Sequence, residues 1–286
     1  MNPYLQLTRP HHSLKNAIIF LPLIFGGGLT DIELLTTAIL GFIVFCGISS
    51  FVYILNDIRD IEKDKLHKTK CNRPLASGKI SVNSAKLFAT IIIIVSLVLG
   101  AIGFGTNLYA WLVLALYVVI NIGYSLGLKN IPLLDIFIIA SGFLLRVMFG
   151  SFITDIEISK WLLIMIIVLS LYLSLYKRKS ELERESNTRA VLKSYTESFL
   201  DRNLVVCMVL ILVFYSLWCI DTTTISRLGD SIIWTIPLTL LICMKFQLNE
   251  SSGNQDPINI VIKDKVLLSL SALYGLIILL IIYGPL

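Results

Sequence analysis

Apolar residues in this chain run on without the polar interruptions that mark the outer face of a soluble helix. Leu87 to Gly103 reads LFATIIIIVSLVLGAIG, with no charged side chain. At 1.5 Å rise, about 20 such residues cross the roughly 30 Å hydrocarbon layer of a bilayer. Nine stretches of this kind occur, at about 14–30, 33–55, 84–103, 107–126, 132–152, 160–176, 203–220, 231–247 and 266–284. The first could pass for a signal peptide, but Gly26-Gly27-Gly28 offers no A-x-A-like cleavage site and eight further stretches follow. It is read as a retained helix. The pattern predicts an all-α integral membrane protein with nine transmembrane helices, forming one domain over residues 1–286 with inner polar loops at about 56–83, 127–131, 177–202 and 248–264.

Composition sharpens this picture. Hydrophobic residues make up 56% and charged residues 15% of the chain, whereas soluble domains carry about 25% charged residues. With a mean hydropathy of +0.83, a secreted domain, a nucleic-acid-binding module and a soluble enzyme are excluded. Cys46, Cys71, Cys207, Cys219 and Cys243 show no CxxC spacing, and His11, His12 and His67 no HExxH spacing. Any metal is therefore expected on carboxylates. Of the 24 Lys and Arg residues, Lys160 and Arg227 fall on one side, Arg146 within a span, and all the others on the side of the N-terminus. The positive-inside rule then places the N-terminus and the long loops in the cytoplasm and the C-terminus outside, across the cell inner (plasma) membrane.

The densest chemistry lies at the inner end of the second span, Asn56-Asp57-Ile58-Arg59-Asp60-Ile61-Glu62-Lys63-Asp64. If the helix continues, Asp57, Asp60 and Asp64 fall within a stripe of about 60°, with Asn56 at its border and Glu62 opposite. Carboxylates so crowded repel one another unless a cation joins them. Mg²⁺ takes oxygen ligands and shares its shell with substrate phosphates, so the stripe suggests a metal-bridged diphosphate. The plainer reading is a solvated helix end. Lys70 and Arg73 follow in the same loop, and Arg can hold phosphate oxygens in a bidentate fork. Topology alone would also place lysines there.

Two further inner segments carry candidates. Tyr124, Lys129 and Asp135 flank the short fourth-to-fifth connection, and Arg146 follows Asp135 by eleven residues on about the same helical face. An intramembrane arginine faces protein or a polar cavity, either paired with a carboxylate or holding substrate. Lys177 and Arg178 close the sixth span, where they either cover an anionic donor or act as a stop signal. Asp256-Pro257 to Asp264 receives no reading from these arguments.

The motif Asn56-Asp57-x-x-Asp60-x-x-x-Asp64, at the inner end of span two of nine, resembles the intramembrane prenyltransferase (UbiA) superfamily. Finer features extend the resemblance from about residue 8 to the final span. They are Arg9-Pro10 with Lys15-Asn16, His67-Lys68-Thr69-Lys70 with Arg73-Pro74, Tyr124-x-x-Gly127-Leu128-Lys129, Ser141 to Arg146, Lys177-Arg178 and Ser194-Tyr195-Thr196. They are similar to the branch that moves 5-phosphoribose from phosphoribosyl pyrophosphate to a decaprenyl-like polyprenyl phosphate, releasing diphosphate. The resemblance implies helices ringed around a central cavity and Asp57, Asp60 and Asp64 as Mg²⁺-binding catalytic positions. Lys15, Asn56, Lys70, Arg73, Tyr124, Lys129, Asp135, Arg146, Lys177 and Arg178 become substrate-binding positions. The full second aspartate motif of prenyl-transferring members is not matched; Asp135 stands alone.

Two other readings remain at this stage. One is a prenyltransferase using a prenyl diphosphate and an aromatic or other polar acceptor. The other is an ion-coupled transporter using Asp57, Asp135 and Arg146, although apart from Arg146 charges do not continue through mid-membrane. Expected partners are the ribosyl donor, the lipid phosphate and the membrane, with no nucleic acid; a homo-oligomer is compatible with all three readings.

Overall fold

The structure, a computed structural model, describes residues 2–67, 70–183, 190–250 and 257–284. Lys68, Arg184, Arg189 and Asp256, which belong to the predicted inner loops, lie outside the described residues. The chain forms two compact units, Met1–Leu128 with Leu145–Glu157, and Lys129–Leu144 with Ile158–Leu286.

The first unit begins with two short helices, α1 (Pro3–Leu7) and α2 (Pro10–Ser13). A 3-10 helix over Leu14–Phe20 leads into α3 (Leu21–Phe25). Then come α4 (Ile32–Arg59), α5 (Ile61–Lys65), α6 (Val82–Phe104), α7 (Leu108–Leu126) and the second half of α8 (Leu134–Thr154). The second unit holds the first half of α8, then α9 (Lys160–Glu183), α10 (Glu197–Ile220) and α11 (Thr222–Leu228). It ends with α12 (Thr235–Glu250), α13 (Pro257–Lys263) and α14 (Lys265–Tyr283).

Among the described residues eight helical segments are long and apolar enough to cross a membrane, and Leu14–Phe25 is a shorter apolar ninth. These are the nine predicted stretches in order. The first is shorter than its apolar run because the helix ends at Phe25 and Gly27 turns the chain at φ 76°. That left-handed conformation suits a residue without a Cβ.

Polar side chains set the helix starts. Asp31 accepts from the Glu33 and Leu34 N–H groups at the head of α4, Ser81 from Ser84 in α6, Asn107 from Ala110 in α7 and Thr196 from Phe199 in α10. Each satisfies an N–H that has no partner within the helix. Asp264, unread in the sequence, caps α14 through the Leu267 N–H (2.7 Å) and pairs with Lys245 (3.0 Å). These two partners pull its carboxyl down to about 2.

At 28 residues α4 is about 42 Å long, more than the roughly 30 Å apolar layer. Its last turn, from Asn56, is polar and extends beyond that layer. Its middle is packed tightly, since a Cβ on Gly47 would stand 2.0 Å from Ser96 Oγ of α6. Small residues at such crossings let membrane helices approach closely. Beside the C-terminal end of α4, Leu7, Ile54, Leu75, Ile80, Ala85 and Ala89 form a buried apolar cluster.

Candidate active site

The predicted aspartate stripe is interrupted, then resumed. α4 ends at Arg59, Asp60 leaves helical geometry at φ −93° and ψ 10°, and α5 restarts at Ile61. A continuous helix was expected here, and the change at Asp60 is the difference. The backbone bonds Asp60 N–H to Asn56 O (2.9 Å) and Asp64 N–H to Asp60 O (2.8 Å) nevertheless carry the helical spacing across it. Asp57 and Asp64 thus still share a face, both buried at 4% exposure, while Asp60 is half-buried. Glu62 points away as predicted, its side chain 83% exposed and paired with Lys65 at 2.7 Å.

Arg73 joins the two buried aspartates. Its Nη1 donates to Asp57 Oδ1 (3.0 Å) and to Asp64 Oδ2 (2.6 Å). A second guanidinium, that of Arg9, donates through Nη2 to the same Asp57 oxygen and stacks over the Tyr53 ring at 5.1 Å. Asn56 accepts from the Ser125 hydroxyl at the end of α7. Of the other candidates in this unit, Lys70 and Tyr124 are half-buried and Lys15 is exposed.

The two carboxylate oxygens that converge on the Arg73 nitrogen are hard ligands of the kind that divalent ions such as Mg²⁺ take. Among the described residues no three acidic, histidine or cysteine side chains gather in this way. Such an ion would complete its shell from water and phosphate oxygens.

Arg146 lies deeper in the same unit, 5% exposed between the rings of Phe45 and Tyr117, each centroid 5.0 Å away. It donates to Asn16 Oδ1 (2.7 Å) and to the Tyr117 hydroxyl (3.1 Å), which Ser49 also reaches (3.2 Å). Aromatic faces and hydrogen bonds offset the cost of the buried cation.

In the second unit Asp135 and Arg178 are wholly buried and paired, Arg178 Nε donating to Asp135 Oδ2 at 2.7 Å. Arg178 also meets Glu181 (2.5 Å), and the Tyr195 hydroxyl donates to Asp135 Oδ1 (2.6 Å) while accepting from the Leu133 N–H (2.7 Å). Burial and the adjoining carboxylate push the Tyr195 phenol up to about 12. Lys177, next in sequence, is exposed, and Lys129 is half-buried.

The structure therefore brings Asp57, Asp64 and Arg73 together, adds Arg9, and sets Asp135 and Arg178 in an internal ion pair. Arg9 and Tyr195 were absent from the predicted set, although each stands in a quoted motif, Arg9-Pro10 and Ser194-Tyr195-Thr196. No spacing rule connects either to its partner.

Comparison with known proteins bears on the family and the fold. Residues 17–254 match the UbiA prenyltransferase family. A decaprenyl-phosphate phosphoribosyltransferase of Mycolicibacterium smegmatis is 31% identical over 92% of this chain and 87% of its own. The protein of that name from Mycobacterium tuberculosis is 32% identical over 91% and 87%. The fold matches a UbiA homolog from Archaeoglobus fulgidus bound to DMAPP and Mg²⁺, with a TM-score of 0.70 and 21% identity over 97% of this chain and 99% of that one. The acidic end of a long membrane helix, the multi-span helical architecture and the length of these matches lead to one assignment: the chain belongs to the UbiA prenyltransferase family and is an integral membrane transferase.

Proposed function

We propose that the protein transfers 5-phosphoribose from phosphoribosyl pyrophosphate to a polyprenyl phosphate of the decaprenyl type, with Mg²⁺, releasing diphosphate. The observation that carries the reading is the likeness, over about nine-tenths of the chain, to relatives named for decaprenyl-phosphate phosphoribosyl transfer. The constellation of buried Asp57 and Asp64 with half-buried Arg73 supports it as a site for a diphosphate.

Breaking the bond between ribose C1 and the diphosphate leaves positive charge on the sugar and negative charge on the leaving group. Asp57 and Asp64, with Asp60 beside them, would hold Mg²⁺, which would supply Lewis-acid stabilisation of that leaving group. Arg73 offers the same oxygens a preorganised cation, and Asn56, steadied by Ser125, borders the site. Lys15, Lys70 and Tyr124, in the same unit, belong to segments that would meet the donor, and Lys129 and Lys177 are candidate donor ligands by the resemblance alone. The acceptor phosphate is already anionic, so no general base is required. Arg146, Asp135 and Arg178 act on this reading by shaping the scaffold, because the side chains around them bury them almost wholly. The N-terminus and this chemistry lie on the cytoplasmic side of the inner (plasma) membrane, and the C-terminus outside.

Purified protein incubated with ribose-labelled donor, a short polyprenyl phosphate and Mg²⁺ should yield a labelled lipid, and chelation with EDTA should stop its formation. Consumption of a prenyl diphosphate with no use of the ribosyl donor would replace this function with prenyl transfer.

A further inference from the structure

The N-terminal segment is built into the acidic site. Leu7 is wholly buried among Ile54, Leu75 and Ile80, and the Tyr4 ring meets Phe88 edge-on at 5.1 Å. The Thr8 carbonyl accepts from the Ser50 hydroxyl of α4 at 3.1 Å. Between this anchor and Pro10, Arg9 adopts φ 50°, a left-handed conformation uncommon for a residue with a Cβ. That turn delivers the guanidinium to Asp57, over the face of Tyr53. A residue held so firmly at the rim, its side chain 20% exposed, has a defined place beside whatever the aspartates bind.

The charges make this placement specific. Two guanidinium groups, Arg9 and Arg73, contact the same Asp57 oxygen, the one best placed to share a cation with Asp64. A divalent ion on that oxygen must displace at least part of this positive charge. A diphosphate arriving with the ion brings several anionic oxygens that a planar five-donor fork fits better than a point charge.

We propose that Arg9 is a diphosphate-binding residue, held on Asp57 before the donor arrives, which passes from that carboxylate to the diphosphate as the divalent ion takes its place. This deepens the function proposed above and rests on it for the identity of the donor. Arg9 thereby opposes binding of the ion alone and favours binding of ion and diphosphate together. The exchange couples the two, so the ion is held well only with the donor.

The test uses full-length protein in detergent, with Mn²⁺ followed by its paramagnetic signal. Arg9→Ala should bind Mn²⁺ alone about tenfold more tightly and, at saturating Mn²⁺, bind inorganic pyrophosphate about tenfold more weakly, the range expected for one charge-assisted hydrogen bond. Should Arg9→Ala fail to fold, Arg9→Gln carries the same two-signed expectation. A parallel fall in both affinities would make Arg9 a structural brace, and no change in either would remove it from the site; both results overturn the proposal. Pyrophosphate is common to ribosyl and prenyl donors, which separates the two questions. Wild-type protein that binds pyrophosphate but not phosphoribosyl pyrophosphate would overturn the donor assignment and leave the Arg9 result standing.

Discussion

At the scale of single residues, charge sign alone does not reveal a charge's work. Asp57 and Asp64 are buried beside cations, whereas Glu62 a few residues away is in solvent. Asp57→Asn, Asp60→Asn and Asp64→Asn are each expected to lower turnover by about a hundredfold or more, while leaving membrane insertion intact. Glu62→Gln should leave turnover near wild type, since an exposed ion pair contributes about 0–1 kcal/mol. Rates measured at fixed Mg²⁺ on this set of variants check both statements. Tyr195 presents a different case. Removing its hydroxyl in Tyr195→Phe takes a donor from buried Asp135 and an acceptor from the Leu133 N–H, at an expected cost of about 1–3 kcal/mol. Because the folded phenol titrates near 12 rather than at its ordinary value of 10.0, the unfolded chain releases this proton first. The stabilisation is whole below pH 10 and is lost as pH rises through the folded value. Melting temperatures of wild type and Tyr195→Phe should therefore differ at neutral pH and converge over that interval.

At the scale of elements, the apolar runs were legible because length in lipid is a coarse, local requirement that each segment meets by itself. Where an element departed from its run, the cause was also local: the turn at Gly27 shortens the first span, and Asp60 interrupts the stripe. The site was half legible. Asp57 and Asp64 lie seven residues apart on one helical repeat, so their meeting could be read directly. Arg9 reaches Asp57 across 48 residues, and Arg178 meets Asp135 across 43. A sequence pattern contains nothing that selects those pairings over others. Buried Arg178 and exposed Lys177 stand side by side with the same sign, and only packing separates them. Packing between elements is itself testable at Gly47. Gly47→Ala should destabilise the α4–α6 crossing by about 1–3 kcal/mol, since its new Cβ would meet Ser96 Oγ at 2.0 Å. Adding Ser96→Ala removes that oxygen and should restore most of the loss, which a double-mutant cycle of melting temperatures would read.

For the whole molecule, the arrangement of spans carries a prediction about sidedness. On the proposed orientation, with Leu14–Phe25 counted as a ninth crossing after a cytoplasmic N-terminus, the C-terminus would lie outside, so a reporter fused after Leu286 should give the signal of the outer compartment. Cytoplasmic activity of that fusion would remove one crossing from the count, and the short Leu14–Phe25 segment is the first to reconsider. The overhang of α4 has a kinetic consequence of its own. On the proposed function, with α4 turning polar at Asn56, Asp57 would stand near the plane of the lipid headgroups, where the phosphate of a membrane-anchored acceptor would reside. Such an acceptor would reach the site by lateral diffusion within its own leaflet. Turnover should then follow the acceptor's mole fraction in the bilayer rather than its amount per volume of suspension. Diluting proteoliposomes with buffer would leave the rate per enzyme unchanged, whereas diluting their lipid with inert phospholipid would lower it.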